Sequence, residues 1–243
     1  MHFPRLKDLF DNIDLFAIVE LPGEFQILPR GVGLFGGIGF VRSDGMTSYR
    51  SFRELSQHER EGEDYRIRIE LRDSGVLIMA PHGGRIEPMT GEIAETIAGT
   101  DYSFYSFEGL KVEGNGVLHI ESHLFDEPWA LKAVEKTDAV ITVHGQINQK
   151  DEFVMMGGLH TPLRSEIERR LEAAGFQTRL PTEGLMGTDP LNICNRGKLR
   201  QGVQLEISRK VRDLLRDDRG RLVAFAEAVR RAIGRKGDFA WQN

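Results

Sequence analysis

Cysteine is nearly absent from this sequence, and the single thiol, Cys194, excludes an internal disulfide framework and a cysteine-rich zinc module. Cys194 stands between Ile193 and Asn195 without an adjacent base, which favours a packing role over that of a nucleophile. An excess of basic charge is also missing, because 32 lysines and arginines face 37 aspartates and glutamates and leave a net charge of −5. Nucleic acids bind to basic surfaces, so a nucleic-acid partner is not expected.

Long hydrophobic runs are missing as well. The longest apolar stretch, GVGLFGGIGFV at residues 31–41, is too short to cross a bilayer, so no membrane partner is expected. The N-terminal segment MHFPRLKDLFDNIDLF has acidic residues within its apolar pattern and lacks the hydrophobic core of a signal peptide, which favours a cytoplasmic location. A formal G-x-G-x-x-G at residues 31–36 is followed by further glycines where a helix should begin, so a dinucleotide site is not expected.

The rest of the chain alternates short apolar runs with amphipathic segments. This alternation predicts a three-layer α/β fold, formed by a single domain over residues 48–243. Residues 1–47 are interpreted as an N-terminal extension of unknown role. The predicted strands are YRIRIEL (65–71), VLIMA (76–80), YSFYSFEG (102–109), VLHIES (117–122), DAVITVHG (138–145), FQTRL (176–180) and GVQLEIS (202–208). Helices are predicted after the capping box that starts at Ser51, from Thr90, near Pro128, from Thr161 and along Leu222–Ile233.

Two of the buried strands end in the same way, on a histidine that is followed by glycine. These histidines are His82 in VLIMAPHGG and His144 in VITVHG, and Glu87 follows five residues after His82. On a helix that spacing would separate the two side chains by about 140°, so a loop is expected, with Gly83 and Gly84 giving it backbone freedom. Ligands gather beyond the carboxyl ends of central strands in such folds. Two imidazoles and a carboxylate suit zinc and leave one position open for water.

A further carboxylate, Glu206, stands among apolar neighbours in GVQLEIS, where an ionised group is costly unless it is paired. A metal-bound water or an arginine would be such a partner. Several interpretations stay open on sequence alone. A histidine at a strand end can be an ordinary hydrogen-bonding residue, and Glu206 can belong to a buried ion pair. His119 and His123 form a rival pair of ligands, because even spacing on a strand places both on one face.

Six ordered sequence blocks make this chain resemble the phage-type poly-γ-glutamate hydrolases, relatives of the zinc carboxypeptidases in fold. The blocks span roughly Tyr49 to Arg212 and read APHGGRIEPMTGEIA, YSFYSFEGLK, GNGVLHIESHLFDEP, DAVITVHG, GTDPLNICNR and GVQLEIS. The resemblance implies a mixed, mostly parallel sheet flanked by helices and a Zn²⁺ cofactor. It also implies hydrolysis of γ-glutamyl amide bonds in a polyanionic glutamate polymer, by an enzyme that cell lysis would release if it derives from a phage.

The resemblance also implies roles for individual residues. It makes His82, Glu87 and His144 the zinc ligands, and Glu206 the carboxylate that activates a metal-bound water. The substrate-binding candidates are Asn195 and Arg196, which resemble a carboxylate-binding Asn-Arg pair, together with Arg85 and His123. A solvated surface arginine is an equally good interpretation of Arg196 from spacing alone. Arg85, Arg196, Lys198 and Arg200 are also expected to attract a polyanion to an otherwise acidic protein.

Two alternatives belong to other functional classes. The first is a zinc amidohydrolase or carboxypeptidase that acts on another carboxylate-bearing amide, such as an N-acylated amino acid or a cell-wall peptide. The second is an inactive binding domain of the same fold, against which the complete set of predicted ligands and base argues.

Overall fold

The structure is a computed structural model that describes residues 16–21, 24–29, 40–41 and 47–234. The chain divides into two compact units, Met1–Ile38 and Gly39–Asn243. In the first unit, strands β1 (Phe16–Leu21) and β2 (Glu24–Pro29) pair in antiparallel fashion. The glycine-rich segment at 31–36 lies outside the described residues, and the predicted assignment of 1–47 as an extension stays a prediction. None of the helices in the described ranges is both long and apolar enough to cross a membrane.

The second unit is built on a mixed sheet of seven strands. Strands β3 (Phe40–Val41) and β4 (Thr47–Ser48) form a separate antiparallel pair before it. The sheet strands are β5 (Tyr65–Glu70), β6 (Val76–Gly84), β7 (Ser103–Gly109), β8 (Ala139–Gln146), β9 (Val154–Gly157), β10 (Thr178–Arg179) and β11 (Val203–Ser208). Their order is β10-β9-β11-β8-β6-β7-β5, and only the β9–β11 and β5–β7 pairs are antiparallel. The predicted mixed, mostly parallel sheet is confirmed.

Helices cover both faces of this sheet. They are α1 (Phe52–His58), α2 (Thr90–Ala98), α3 (Pro128–Lys136), α4 (Thr161–Ala173), α5 (Arg209–Asp217) and α6 (Arg219–Ile233). One apolar core joins the sheet to α2, α4, α5 and α6, and the other joins it to α1 and α3. Alternate residues of β6 enter opposite cores, Ile78 on the first side and Leu77 and Met79 on the second. A strand buried on both faces needs such a continuous apolar run, and the predicted three layers are confirmed.

The predicted helix signals act locally as expected. Ser51 caps α1, since its Oγ accepts a hydrogen bond of 3.1 Å from the backbone N–H of Glu54. Gly175, just beyond the end of α4, has a φ of +79°, a backbone conformation that glycine adopts without strain.

Three predictions of secondary structure are wrong. VLHIES (117–122) is not a strand: Asn115–Leu118 forms a 3₁₀ turn, and the chain then crosses over to α3 without a neighbouring strand. Its apolar residues Leu118 and Ile120 are buried in the second core, which explains the strand-like pattern. The even-spacing argument that placed His119 and His123 on one strand face therefore fails. FQTRL contributes only the two residues of β10, and β6 continues past Pro81 to Gly84 where a loop was expected.

Candidate metal centre

His82 enters the site from an irregular stretch of β6. The register between β6 and β7 shifts between Ala80 and Gly83, and His82 lies within this bulge with 1% of its surface exposed. Its Nε2 lies 2.7 Å from the backbone carbonyl oxygen of Ile120. A carbonyl can only accept, so Nε2 carries the hydrogen and Nδ1 keeps a free lone pair that faces the cluster.

Glu87 returns to His82 through a short closed turn. The backbone N–H of Glu87 donates to the carbonyl of His82 at 2.9 Å, and the Thr90 hydroxyl donates to the carbonyl of Glu87 at 2.8 Å. This turn explains the five-residue spacing in the sequence. It leaves Glu87 Oε1 3.3 Å from His82 Nδ1, while Oε2 accepts a hydrogen bond of 2.7 Å from the backbone N–H of Gly145.

His144 approaches the same point from the end of β8. Its Nδ1 lies 3.2 Å from His82 Nδ1 and 3.8 Å from Glu87 Oε2. Two ligands bound to zinc at about 2.0–2.1 Å in tetrahedral geometry are themselves about 3.3 Å apart. Two of the three separations among the donor atoms of His82, Glu87 and His144 have this spacing and the third, at 3.8 Å, is longer, so the residues come close to the arrangement that a zinc ion needs.

His119 is a rival for the third position. His82, Glu87 and His119 each offer a donor atom within 4.8 Å of the others, and His119 Nε2 lies 3.5 Å from Glu87 Oε1. However, the His82 and His119 rings are stacked with centroids 3.8 Å apart and planes inclined by 27°, whereas His82 and His144 are inclined by 61°. Imidazole lone pairs lie in the ring plane, so stacked rings do not direct them to one point. Geometry therefore favours His144.

The charge state of the cluster also suits a cation. Burial and, next, the neighbouring His82 together lower the pKa of His144 to about 3. Burial likewise lowers the pKa of His119. Burial alone would raise the pKa of Glu87, but the adjacent His82 and His119 hold this pKa well below the usual range. Glu87 is thus ionised and His144 and His119 are neutral, the protonation states that metal ligands need. For His82, burial acts to lower the pKa, but attraction to Glu87 raises it above the ordinary value, so this proton must leave when a metal binds.

Glu206 lies on β11 directly opposite His144 in the parallel β8–β11 register. Burial and the nearby Glu87 raise its pKa well above the usual value. Its Oε1 accepts a hydrogen bond of 2.9 Å from Gln204 Nε2, and Gln204 in turn accepts one of 2.9 Å from Asn192. Glu206 is therefore a buried carboxyl group of fixed orientation beside the cluster.

The cluster opens into a cavity of about 550 Å³. One wall is the 184–189 segment, which bends closely against β9 and β11: a Cβ on Gly157 would lie 2.2 Å from the carbonyl oxygen of Met186. The acidic lining residues are Glu87, Glu121, Asp189 and Glu206, and no lysine or arginine belongs to the lining in the described part of the chain. The cavity is therefore acidic apart from any bound metal.

The predicted substrate-binding residues occupy different places. His123 lines the cavity and is exposed. Asn195 is fully buried and its side chain bonds to backbone groups, including the N–H of Gly202 at 3.1 Å. Arg196 donates to the carbonyl of Phe125 at 3.0 Å and Arg85 to that of Lys111 at 3.0 Å. Asn195, Arg196 and Arg85 do not line the cavity, and their roles in binding stay predictions.

Some residues around the cluster were not identified from the sequence. Gln204 had a signal, because it alternates with Glu206 on one face of a strand whose other face is apolar. Arg212 had no such signal in the sequence. Although it is buried, its place next to Val211 is that of any charged helix residue at the edge of an apolar stripe.

Fold and site together define a class of protein, a mixed α/β domain that holds a histidine and carboxylate cluster beyond the carboxyl ends of its central strands. A family model described as poly-gamma-glutamate hydrolase matches residues 49–222. This chain belongs to the poly-γ-glutamate hydrolase family, as its six sequence blocks predicted.

Relatives in Bacillus subtilis (strain 168) agree with this membership. The SPbeta prophage-derived UPF0714 protein YoqZ is 40% identical over 201 residues, which cover 82% of this chain and 71% of YoqZ. The UPF0714 protein YmaC is 39% identical over 174 residues, 70% of this chain and 73% of YmaC.

Two solved structures share the fold. A bacteriophage poly-gamma-glutamate hydrolase superposes with a TM-score of 0.72 at 32% identity, covering 76% of this chain and 95% of that enzyme. YndL in its zinc-free apo form superposes with a TM-score of 0.68 at 34% identity, covering 76% of this chain and 96% of YndL. The predicted fold, an α/β sandwich related to the zinc carboxypeptidases, is confirmed.

Proposed function

We propose that this protein is a zinc-dependent hydrolase of γ-glutamyl amide bonds in poly-γ-glutamate. The observation that carries the proposal is the convergence of His82 Nδ1, His144 Nδ1 and the Glu87 carboxylate within 3.8 Å, next to the buried Glu206. Membership of the family supports the substrate class, and the zinc-free form of the relative YndL supports the choice of metal.

In this proposal His82, Glu87 and His144 hold the metal, and one coordination position stays open. A bound zinc ion would supply Lewis acidity, which polarises the scissile carbonyl group and acidifies water. The chain prepares the ligands before the metal arrives. Ile120 fixes the tautomer of His82, and the Gly145 backbone N–H fixes one oxygen of Glu87.

Glu206 acts as the general base. Gln204 holds Oε1, so the other carboxylate oxygen is available to take the proton of the attacking water. A pKa raised by burial makes this carboxylate a stronger base than an exposed glutamate. The same carboxyl group then returns the proton to the departing amine, which completes hydrolysis without a second titrating residue.

The acidic lining favours one alternative function. A polymer of γ-linked glutamate carries a free carboxylate on each unit, and the described lining offers it no lysine or arginine. A neutral or small amide with a single carboxylate would meet less repulsion. Hydrolysis of such an amide is therefore the second candidate, within the same zinc chemistry.

Zinc-loaded protein incubated with γ-linked and with α-linked polyglutamate tests the proposal. We expect chain shortening of the γ-linked polymer alone, because the two polymers share charge but differ in the position of the amide. Turnover of both polymers, or of neither while a small N-acyl amino acid is hydrolysed, would favour the alternative.

A matched pair of variants tests the base. Glu206→Gln should keep its shape, its bond to Gln204 and its zinc while activity falls by about 10²–10⁴-fold. Glu121→Gln changes an exposed carboxylate of the same cavity and serves as the control. Equal activity of Glu206→Gln and the wild type would assign Glu206 to a structural role.

A further inference from the structure

Arg212, in the first turn of α5, is a buried arginine with unusual partners. Only 3% of its surface is exposed, and within the described ranges the guanidinium contacts no carboxylate oxygen at hydrogen-bonding distance. It donates instead to three backbone carbonyls: Nη1 to Pro88 at 2.6 Å, Nη2 to Gln146 at 3.1 Å and Nε to Ile207 at 3.1 Å.

Each of these carbonyls follows closely on a residue of the site. Pro88 comes directly after Glu87, Gln146 comes two residues after His144, and Ile207 comes directly after Glu206. One side chain therefore connects the three chain segments that carry a ligand or the base. These segments come from a turn and from the ends of two different strands, so no backbone ladder joins all three.

The local packing is built around the guanidinium. A Cβ on Gly145 would lie 2.6 Å from the Arg212 Cζ, so only glycine fits between His144 and the arginine. Burial lowers the pKa of Arg212, while attraction to Glu87, Asp213 and Glu206 acts in the opposite direction.

We propose that Arg212 is a positioning residue that sets the spacing of Glu87, His144 and Glu206 and thereby the affinity for zinc. This inference rests on the proposed function. Arginine suits the task because its planar fork presents donors in fixed directions, which a lysine ammonium on a flexible stem does not. The Ile207 carbonyl is buried and those of Pro88 and Gln146 are partly buried, so each gains from a fixed donor.

The zinc dissociation constant of the metal-free protein, measured by competition with a chromophoric chelator, tests the proposal without any substrate. Loss of groups that orient metal ligands typically costs 10–100-fold in metal affinity. We expect a loss of this size for Arg212→Met and a smaller one for Arg212→Lys, which keeps the charge but loses the fork. In active preparations kcat should fall more than KM rises, since the base is displaced as well.

Arg230→Met is the matched control. Arg230 also donates to backbone carbonyls, those of Ile97 at 2.7 Å and Ala98 at 2.9 Å, but it lies on α6 and does not line the cavity. Its loss should lower the melting temperature and leave zinc affinity and kcat unchanged, which separates a general structural role from positioning.

The outcomes separate this inference from the proposed function. If the wild type binds zinc and Arg212→Met binds it equally well, the positioning role is overturned and the proposed function stands. If Arg212→Met does not fold, Arg212→Lys decides by the same criterion. A wild type that binds no zinc would overturn both.

Discussion

At the scale of single residues, ring orientation distinguishes the two histidines that compete for the third position of the candidate metal centre. His119 Nε2 lies 3.5 Å from Glu87 and His144 Nδ1 lies 3.8 Å from it, so His119 is the closer of the two, but its ring stacks on that of His82. Because the His119 ring is stacked on the His82 ring, His119 comes close to Glu87 without directing its lone pair to the same point. Distance alone therefore does not show which histidine is the third ligand. His119 Nδ1 has no hydrogen-bond partner in the described structure, so His119 is available for a role at the edge of the centre.

The first prediction concerns these two histidines. His144→Ala should weaken zinc binding strongly, because it removes a ligand, whereas His119→Ala should change zinc affinity by only a few fold. Chelator competition on the purified variants measures both, and His123→Ala, an exposed histidine of the same cavity, is the control. A larger loss for His119→Ala than for His144→Ala would move the third ligand to His119.

The sequence identified the residues of the site only where a strand pattern was interrupted. His82, His144 and Glu206 stood out because polar side chains end or interrupt apolar runs. The tight turn from His82 to Glu87 could not be predicted, because it depends on a bulge in β6 and on hydrogen bonds to the carbonyls of His82 and Glu87. Arg212 could not be predicted either, since its partners are backbone carbonyls from distant segments.

At the scale of secondary structure elements, β6 depends on a close approach to β7. The sequence suggested that Gly83 supplies backbone freedom, but its φ is not positive. What the position requires is space: a Cβ there would lie 2.4 Å from Ser106 Oγ and 3.1 Å from the carbonyl oxygen of Phe107. Such a contact between strands cannot be derived from a local pattern.

A second prediction follows for this contact. Gly83→Ala should destabilise the protein by about 1–3 kcal/mol, the usual cost of overpacking a filled site. Ser106 Oγ is buried without a hydrogen-bond partner in the described structure, so Ser106→Ala should cost little and should relieve part of the clash in the double variant. Urea unfolding of the wild type, the two single variants and the double variant gives the coupling energy between the two substitutions. Strictly additive effects would rule out this contact as the cause.

The start of α4 gives a prediction about pH. His160 caps this helix, since its Nδ1 accepts a hydrogen bond of 3.3 Å from the backbone N–H of Leu163, and burial lowers its pKa below the ordinary value of 6.5. As the pH falls, His160 is therefore protonated at a higher pH in the unfolded chain than in the folded protein. The contribution of the cap to stability is complete above pH 6.5 and declines as the pH falls below it.

His160→Asn keeps a capping acceptor and removes the titration. In metal-free protein, its melting temperature should fall less than that of the wild type between about pH 7 and pH 5. His58→Asn, at the exposed end of α1, is the control and should follow the wild type. Parallel curves for His160→Asn and the wild type would contradict the assignment.

At the scale of the whole molecule, sheet order explains why distant residues meet. β11, β8 and β6 are neighbouring parallel strands, so Glu206, His144 and His82 all lie toward the carboxyl end of the sheet. The alternation of apolar runs with amphipathic segments was sufficient to predict the layered α/β fold, and the resemblance to the family implied the mostly parallel sheet. They were not sufficient for β9, whose four residues VMMG carry no alternation, or for α5, whose charged surface hides a two-residue apolar stripe.

The charge of the whole molecule leads to the last prediction. The sequence suggested that Arg85, Arg196, Lys198 and Arg200 would attract a polyanion, an attraction that added salt would screen. None of these four residues lines the cavity, whose described lining is acidic, and the net charge of the chain is −5. Repulsion therefore dominates the approach of a glutamate polymer, and salt should assist it.

Raising the ionic strength from 0.01 M to 0.15 M shortens the Debye length from about 30 Å to about 8 Å, which screens this repulsion. We expect KM for long γ-linked polymer to decrease over this range, while KM for a short neutral γ-glutamyl amide stays constant. Glu121→Gln removes one exposed carboxylate of the lining and should reduce the salt dependence. A KM for the polymer that rises with salt would show instead that basic side chains reach the substrate, with Arg85 and Arg196 the first to substitute.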